Sequence, residues 1–211
     1  MHSNIRNLCL THSTLPTPEN LVMSDLPQLD TARHKLREHI LQHSLKTGTF
    51  TLKSGRTSSW FLDSKQTACR SDGILLITDV ALALLPLDID AIGGLTMGAD
   101  PVAFGIAAVA ATRGRTLRSF SVRKESKDHG VTGRIAGALQ PGDRVAIVED
   151  TVTRGTSLFE AIEVVKAFGA TPVFITVIVD RGGTCAAMAS EANIAYEPML
   201  SAPDLGYAFG S

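Results

Sequence analysis

Apolar and polar positions alternate along this chain between two periods. Ala32, Leu36, Ile40 and Leu41 share one face at helical spacing, which predicts a first helix capped by Asp30 and ending before Gly48. Phe50–Leu52 and Ser59–Leu62 read as short strands on either side of a Lys53-Ser54-Gly55-Arg56 turn. Asp72 predicts the cap of a second helix over Ile74–Leu85, closed by Pro86. Ala91–Leu95 reads as a strand, and Pro101–Ala111 as a helix with proline in its first position. The pattern then gives a strand at Leu117–Val122, a polar, Gly-rich mobile loop over Arg123–Gly137, and a strand at Val145–Val148. A helix over Ser157–Phe168, a long strand over Pro172–Val179, a helix over Cys185–Glu191 and a short strand at Ala195–Tyr196 complete it.

Strands alternating with helices predict an α/β fold, a central parallel sheet flanked by helices. In such sheets ligands bind beyond the carboxyl ends of the strands. Gly93–Gly98, Arg123–Lys124, Glu149–Asp150 and Asp180–Arg181 all follow apolar strands, so they are expected on one edge. Met1–Val22 differs from the rest. It holds Pro16, Pro18 and many Ser, Thr and Asn with little periodicity, and reads as a disordered extension, with Met23 as an alternative start. That leaves 23–211 as a single domain with a small hood lobe from its N-terminal part.

Composition narrows the function classes. Hydrophobic residues make up 44% of 211, enough for a large core, and the net charge of −1 gives no overall bias toward nucleic acid or a membrane surface. Mean hydropathy is +0.14, and no apolar run nears the ~20 residues that span a bilayer. Cys9, Cys69 and Cys185 are scattered without paired spacing, so neither a disulfide framework nor a zinc site is suggested and a cytoplasmic protein is expected.

The chemistry concentrates in Arg144–Ser157, Arg-Val-Ala-Ile-Val-Glu-Asp-Thr-Val-Thr-Arg-Gly-Thr-Ser. A β-branched run ends in two adjacent acids, Glu149 and Asp150, and passes through a small-residue loop into a helix. Backbone N–H groups of such a loop and the following helix N-terminus attract phosphate, while carboxylates accept hydrogen bonds from sugar hydroxyls. This resembles the phosphoribosyl-pyrophosphate (PRPP) motif of the type I phosphoribosyltransferases. A second signal is Arg123-Lys124-Glu125-Ser126-Lys127-Asp128-His129-Gly130, with three cations and a histidine in seven residues. Cations suit a pyrophosphoryl leaving group, and the glycines of this tract suit a loop that closes over it. A third is Phe50–Phe61, where Lys53 precedes a Ser-Gly turn and aromatics follow.

Together, Gly48–Asp63, Arg123–Gly130 and Val145–Ser157 resemble orotate phosphoribosyltransferase, and Asp180-Arg181-Gly182-Gly183 is similar to that family's orotate-contacting segment. The resemblance implies transfer of ribose 5-phosphate from PRPP to orotate, with Mg²⁺ held mainly through PRPP and water and not by direct protein ligands. It implies that Thr151, Val152, Thr153, Arg154, Gly155, Thr156 and Ser157 cradle the 5′-phosphate and that Glu149 and Asp150 hold the ribose. Lys53, Arg123, Lys124, Lys127 and His129 would contact the pyrophosphate, with Lys127, His129, Glu149 and Asp150 carrying the catalysis. Phe61, Thr153 and Arg181 would contact orotate, Arg181 by pairing with its carboxylate. It also implies a homodimer with a shared active site. Met97 is a departure, since many members carry a Lys in that loop. The competing readings are a phosphoribosyltransferase for another base, which would not need Arg181, and a non-catalytic PRPP-sensing regulator, which would not need the cationic loop.

Overall fold

The computed structural model describes residues 26–51, 57–127 and 133–210, with only the backbone at residues 26, 27, 126 and 127. The Met1–Val22 extension, Lys53 and His129 lie outside the described residues, as does the side chain of Lys127.

The first helix, α1 (Leu26–His43), starts before Asp30, which therefore lies inside it and caps nothing. Leu36 and Ile40 are its fully buried stripe. Strands β1 (Leu45–Thr51) and β2 (Thr57–Leu62) form a separate antiparallel pair, with Leu45 opposite Leu62. On β2 the side chains alternate strictly: Ser58, Trp60 and Leu62 face in, and Thr57, Ser59 and Phe61 face out. A single turn, α2 (Lys65–Ala68), leads into α3 (Ser71–Leu84), where Asp72 sits in the first turn.

The main sheet has the order β5-β4-β3-β6-β7-β8. Its members are β3 (Ala91–Leu95), β4 (Arg118–Lys127), β5 (Gly133–Gly137), β6 (Arg144–Val152), β7 (Thr171–Asp180), β8 (Ala195–Tyr196) and β9 (Leu200–Ser201). The contacts β4–β3–β6–β7 are parallel, β8 and β9 both pair in parallel with β7, and β5 returns antiparallel to β4. Helices α4 (Ala99–Thr112), α5 (Thr156–Phe168) and α6 (Cys185–Glu191) supply the crossovers, and a 3₁₀ turn, Pro203–Leu205, follows β9. The expected parallel α/β architecture is what is found.

Both sheet faces are covered, which explains why β6 shows no polar alternation. Ala146 and Val148 pack with α1, α3 and α4, while Val145 and Ile147 pack with α5 on the other face. No helix among the described residues is long and apolar enough to cross a membrane.

The segment Arg123–Gly137 departs from expectation. β4 runs on to Lys127 and β5 begins at Gly133, so its flanks form a hairpin and only residues 128–132 are left between them. A run of charges carries no apolar alternation to mark a strand. Here the pairing is carried by backbone and by Arg134, whose Nε donates to the Arg123 carbonyl at 2.7 Å and whose guanidinium pairs with Glu160 on α5. β4 pairs with β3 only as far as Val122, so Arg123–Lys127 form an arm beyond the end of β3.

Candidate active site

The carboxyl ends of β3, β4, β6 and β7 lie on one edge, as the parallel pairing requires. Glu149 and Asp150 sit near the end of β6 and are both buried. Asp150 accepts from Ser64 Oγ at 2.7 Å, from Lys65 Nζ at 2.8 Å and from the Thr151 N–H at 2.7 Å. Burial alone would push its carboxyl up. The bonds from Lys65 and Ser64 outweigh that and hold it below the usual carboxylate range. Lys65 is raised in turn: its bond to Asp150 and the nearby carboxylates overcome the effect of its own partial burial.

Glu149 has the opposite fate. Burial, then the neighbouring Asp150 charge, push its carboxyl up to about 8. It keeps its proton at neutral pH while its neighbour is charged. Gly98 makes this packing possible, because a Cβ there would come within 1.8 Å of Glu149 Oε1. The loop after β3 thus lies directly on the acid pair. Met97 in that loop is exposed, and Asp100, in the first turn of α4, accepts from Thr96 Oγ1 and from Ser121 Oγ, each at 2.6 Å.

Beyond Asp150 the chain makes the expected small-residue loop. Thr153, Arg154, Thr156 and Ser157 are exposed, Thr151 is half-buried, and Val152 is turned into the core, so Val152 offers only its backbone. Gly155 has φ +80° and immediately precedes α5, a left-handed position that suits glycine. The N–H groups at Thr156 and Ser157 therefore open the helix toward the edge.

A third wall is built by the turn after β7. Asp180 accepts from the N–H groups of Gly182 and Gly183 at 2.9 Å each and from Tyr196 Oη at 2.8 Å. Gly182 lies against Thr153: a Cβ on it would meet the Thr153 carbonyl oxygen at 1.7 Å. Thr184 Oγ1 donates to the same carbonyl at 3.0 Å. Arg181, between them, rests its guanidinium 4.0 Å above the Trp60 ring, which is stacked on Tyr207 at 4.4 Å. Its Nε is buried without a hydrogen-bond partner, and burial lowers its affinity for the proton.

Glu149, Asp150, Thr151, Thr153 and Arg181 are thus brought together. Phe61 is placed apart from Arg181, on the outward face of β2 against Phe50 at 5.6 Å. Arg123 and Lys124 lie on the arm, Arg123 with one guanidinium nitrogen 3.5 Å from the Gly133 carbonyl and Lys124 exposed. Ser64, Lys65, Trp60 and Tyr207 were not among the expected site residues. The available signal for Lys65 was a cation just past a strand in Asp63-Ser64-Lys65.

No protein-family model matches the chain. Individual proteins do. The orotate phosphoribosyltransferase of Nostoc sp. is 34% identical over 201 residues, 93% of this chain and 96% of that protein. That of Streptomyces coelicolor is 41% identical over 150 residues, 71% of this chain and 82% of the relative. Among solved structures, Mycobacterium tuberculosis H37Rv orotate phosphoribosyltransferase superposes with a TM-score of 0.69 in its complex with PRPP. There the identity is 31%, covering 83% of this chain and 99% of that one. The complex of the same enzyme with inorganic phosphate gives 0.74 at 32% identity, with coverage of 84% and 99%.

Proposed function

We propose a division of labour among these residues, from the premise that the chain belongs to the orotate phosphoribosyltransferase family. The chain transfers ribose 5-phosphate from PRPP to orotate, releasing pyrophosphate and forming orotidine 5′-monophosphate for pyrimidine biosynthesis. The loop Thr151–Ser157 and the start of α5 hold the 5′-phosphate through backbone N–H groups and open hydroxyls. Glu149 and Asp150 take the ribose hydroxyls. As pyrophosphate departs from the anomeric carbon, positive charge grows on the ribose ring, and the ionised Asp150 stabilises it.

Two buried, adjacent carboxylates, one of them forced to keep its proton, fit a site that receives positive charge with its ligand. Mg²⁺ meets that need. Glu149 and Asp150 would hold it indirectly, through PRPP oxygens and water, and when bound it would neutralise pyrophosphate charge. Lys65 keeps Asp150 ionised until the ligand arrives.

The pyrophosphate is met by cations of the β4–β5 arm, Arg123, Lys124, Lys127 and His129, together with Lys53. The length of the arm beyond β3 supports a homodimer in which it reaches the neighbouring active site. Met97 removes one cation expected of many relatives, so the arm carries more of this task.

The carrying observation for the base is Arg181. A guanidinium with a buried, unpartnered N–H, set on an indole face beside Thr153, wants a planar anion, and a carboxylate satisfies it with two parallel hydrogen bonds. Incubation with PRPP, Mg²⁺ and orotate, followed by loss of orotate absorbance, tests this against uracil and hypoxanthine controls. Equal or faster use of either control would overturn the assignment of Arg181.

A further inference from the structure

Away from the active-site edge, one side-chain cluster has the make-up of a metal centre. His39 and His43 stand one turn apart on α1 and so leave the same helix face. Their ring centroids are 4.5 Å apart. Asp72, in the first turn of α3, faces them. Each residue offers one ligand atom, and the three atoms lie within 4.8 Å of one another.

The geometry around His39 carries the case. The residue is 8% exposed, yet its Nε2 has no hydrogen-bond partner. Asp72 Oδ2 is 3.4 Å away without the alignment of a hydrogen bond. Two donors that each stand ~2.0–2.1 Å from one tetrahedral ion are about 3.3–3.4 Å from each other. The other ring nitrogen, Nδ1, lies 3.2 Å from Thr67 Oγ1, which is 2.6 Å from Ser44 Oγ. Holding the remote nitrogen in this way is how proteins aim a metal-binding imidazole. The second oxygen of Asp72, Oδ1, lies 3.4 Å from Arg70 Nε, which orients the carboxylate.

Packing brings α3 unusually close here. A Cβ on Gly73 would meet the Thr67 carbonyl at 2.2 Å and His39 Cε1 at 3.0 Å, so glycine is required for the approach. A plain ion pair explains less. It joins His39 to Asp72 and gives His43 no part in the cluster. A divalent ion uses both neutral imidazoles and one carboxylate at once.

We propose that His39, His43 and Asp72 form a three-ligand site for a borderline divalent metal of the Zn²⁺ type, with its fourth position open to water. Two imidazoles favour such an ion over Mg²⁺, which prefers oxygen donors. The site ties α1 to α3 around α2, the turn that brings Lys65 to Asp150. It is separate from the Mg²⁺ role above and does not depend on it.

The test uses the full-length protein, stripped with a chelator and titrated with Zn²⁺ in the presence of excess Mg²⁺, with Co²⁺ as a spectroscopic probe. The expectation is a saturable site that gives the visible bands of four-coordinate Co²⁺ and raises Tm. His43→Gln and Asp72→Asn should each weaken binding by at least the ~10–100-fold that loss of an outer-sphere partner costs. His34→Gln, exposed elsewhere on α1, should leave binding unchanged. Circular dichroism establishes that the variants fold. Wild-type protein without a saturable Zn²⁺ site, or folded His43→Gln and Asp72→Asn proteins that bind as tightly as wild type, would overturn the proposal.

Discussion

Along β6 and β7 the ligand-facing edge is anchored. Asp150 and Asp180 each accept three hydrogen bonds, and Gly98 and Gly182 let adjacent loops close to backbone or carboxylate. Along β4 and β5 the same edge becomes a two-stranded arm with an exposed Lys124 and tethers through Arg134 to Arg123 and Glu160. The first region is organised before ligand arrives, which suits recognition of a sugar phosphate and a base. The second presents cations on a projection, which suits charge that appears only as a bond breaks. The proposed roles of binding and leaving-group stabilisation thus fall on different parts of one edge.

The strongest way to break this contrast is at the arm. Lys127→Ala should lower turnover by ~10²–10³-fold, as removal of a group that stabilises developing charge does elsewhere, with PRPP affinity changed far less. Mixing it with an Asp150→Asn protein under subunit exchange should restore activity, because one mixed site then has both native residues. Tagged heterodimers that form but stay inactive would show that Lys127 does not act across an interface.

On the anchored side, Asp150→Asn keeps shape and loses charge. Turnover should fall by about 10²-fold while PRPP binding weakens less; a variant with normal turnover would reject the electrostatic role. Smaller again is Arg181→Ala, which should weaken orotate use by about 1.5–3 kcal/mol and leave PRPP binding largely intact. A collapse of PRPP affinity with orotate affinity preserved would place Arg181 on the wrong ligand.

The smallest effect concerns Glu149. Its carboxyl titrates at about 8 in the fold against an ordinary 4.5. Below 4.5 both folded and unfolded chains hold the proton, so there is no penalty. As pH rises toward 8 only the unfolded chain releases it, and folding loses stability. Glu149→Gln should therefore match wild type in Tm near pH 4 and exceed it near pH 8, in the absence of ligands. A Tm difference that stays constant with pH would show that folding does not shift the Glu149 carboxyl. For the same reason, Mg²⁺ and PRPP binding near neutral pH should release protons, measurable by calorimetry in buffers of different ionisation enthalpy.

The sheet and the small-residue loop between β6 and α5 were legible because they depend on local pattern. Val145–Val148 is apolar without alternation, as a strand covered on both faces must be, and Glu149–Ser157 is contiguous. Other features depend on contacts between distant segments. Lys65 lies in a four-residue helix too short to show periodicity, and only folding sets it against Asp150, 85 positions away. The choice between Trp60 and Phe61 is a matter of strand parity: a one-residue step exchanges the faces, and the buried face is set by Arg181 and Tyr207 from the far end of the chain. Arg123–Lys127 looked like loop because pairing on an exposed arm leaves no apolar trace. The helix start at Leu26 was missed because Asp30, a good cap by type, is simply an exposed residue within the first turns.

The two-residue strands β8 and β9 have a consequence for solubility. β7 is ten residues long and strongly apolar, and its outer margin would be a template for any passing chain. β8 and β9 occupy that margin at separate registers, and the N–H groups of Glu197, Met199 and Ala202 bond to Ile175, Val177 and Asp180 along it. The last fifteen or so residues thus act as a selvedge on the woven edge, and a chain cut after Tyr196 would lose the Glu197, Met199 and Ala202 bonds, leaving the far half of β7 open to filament growth.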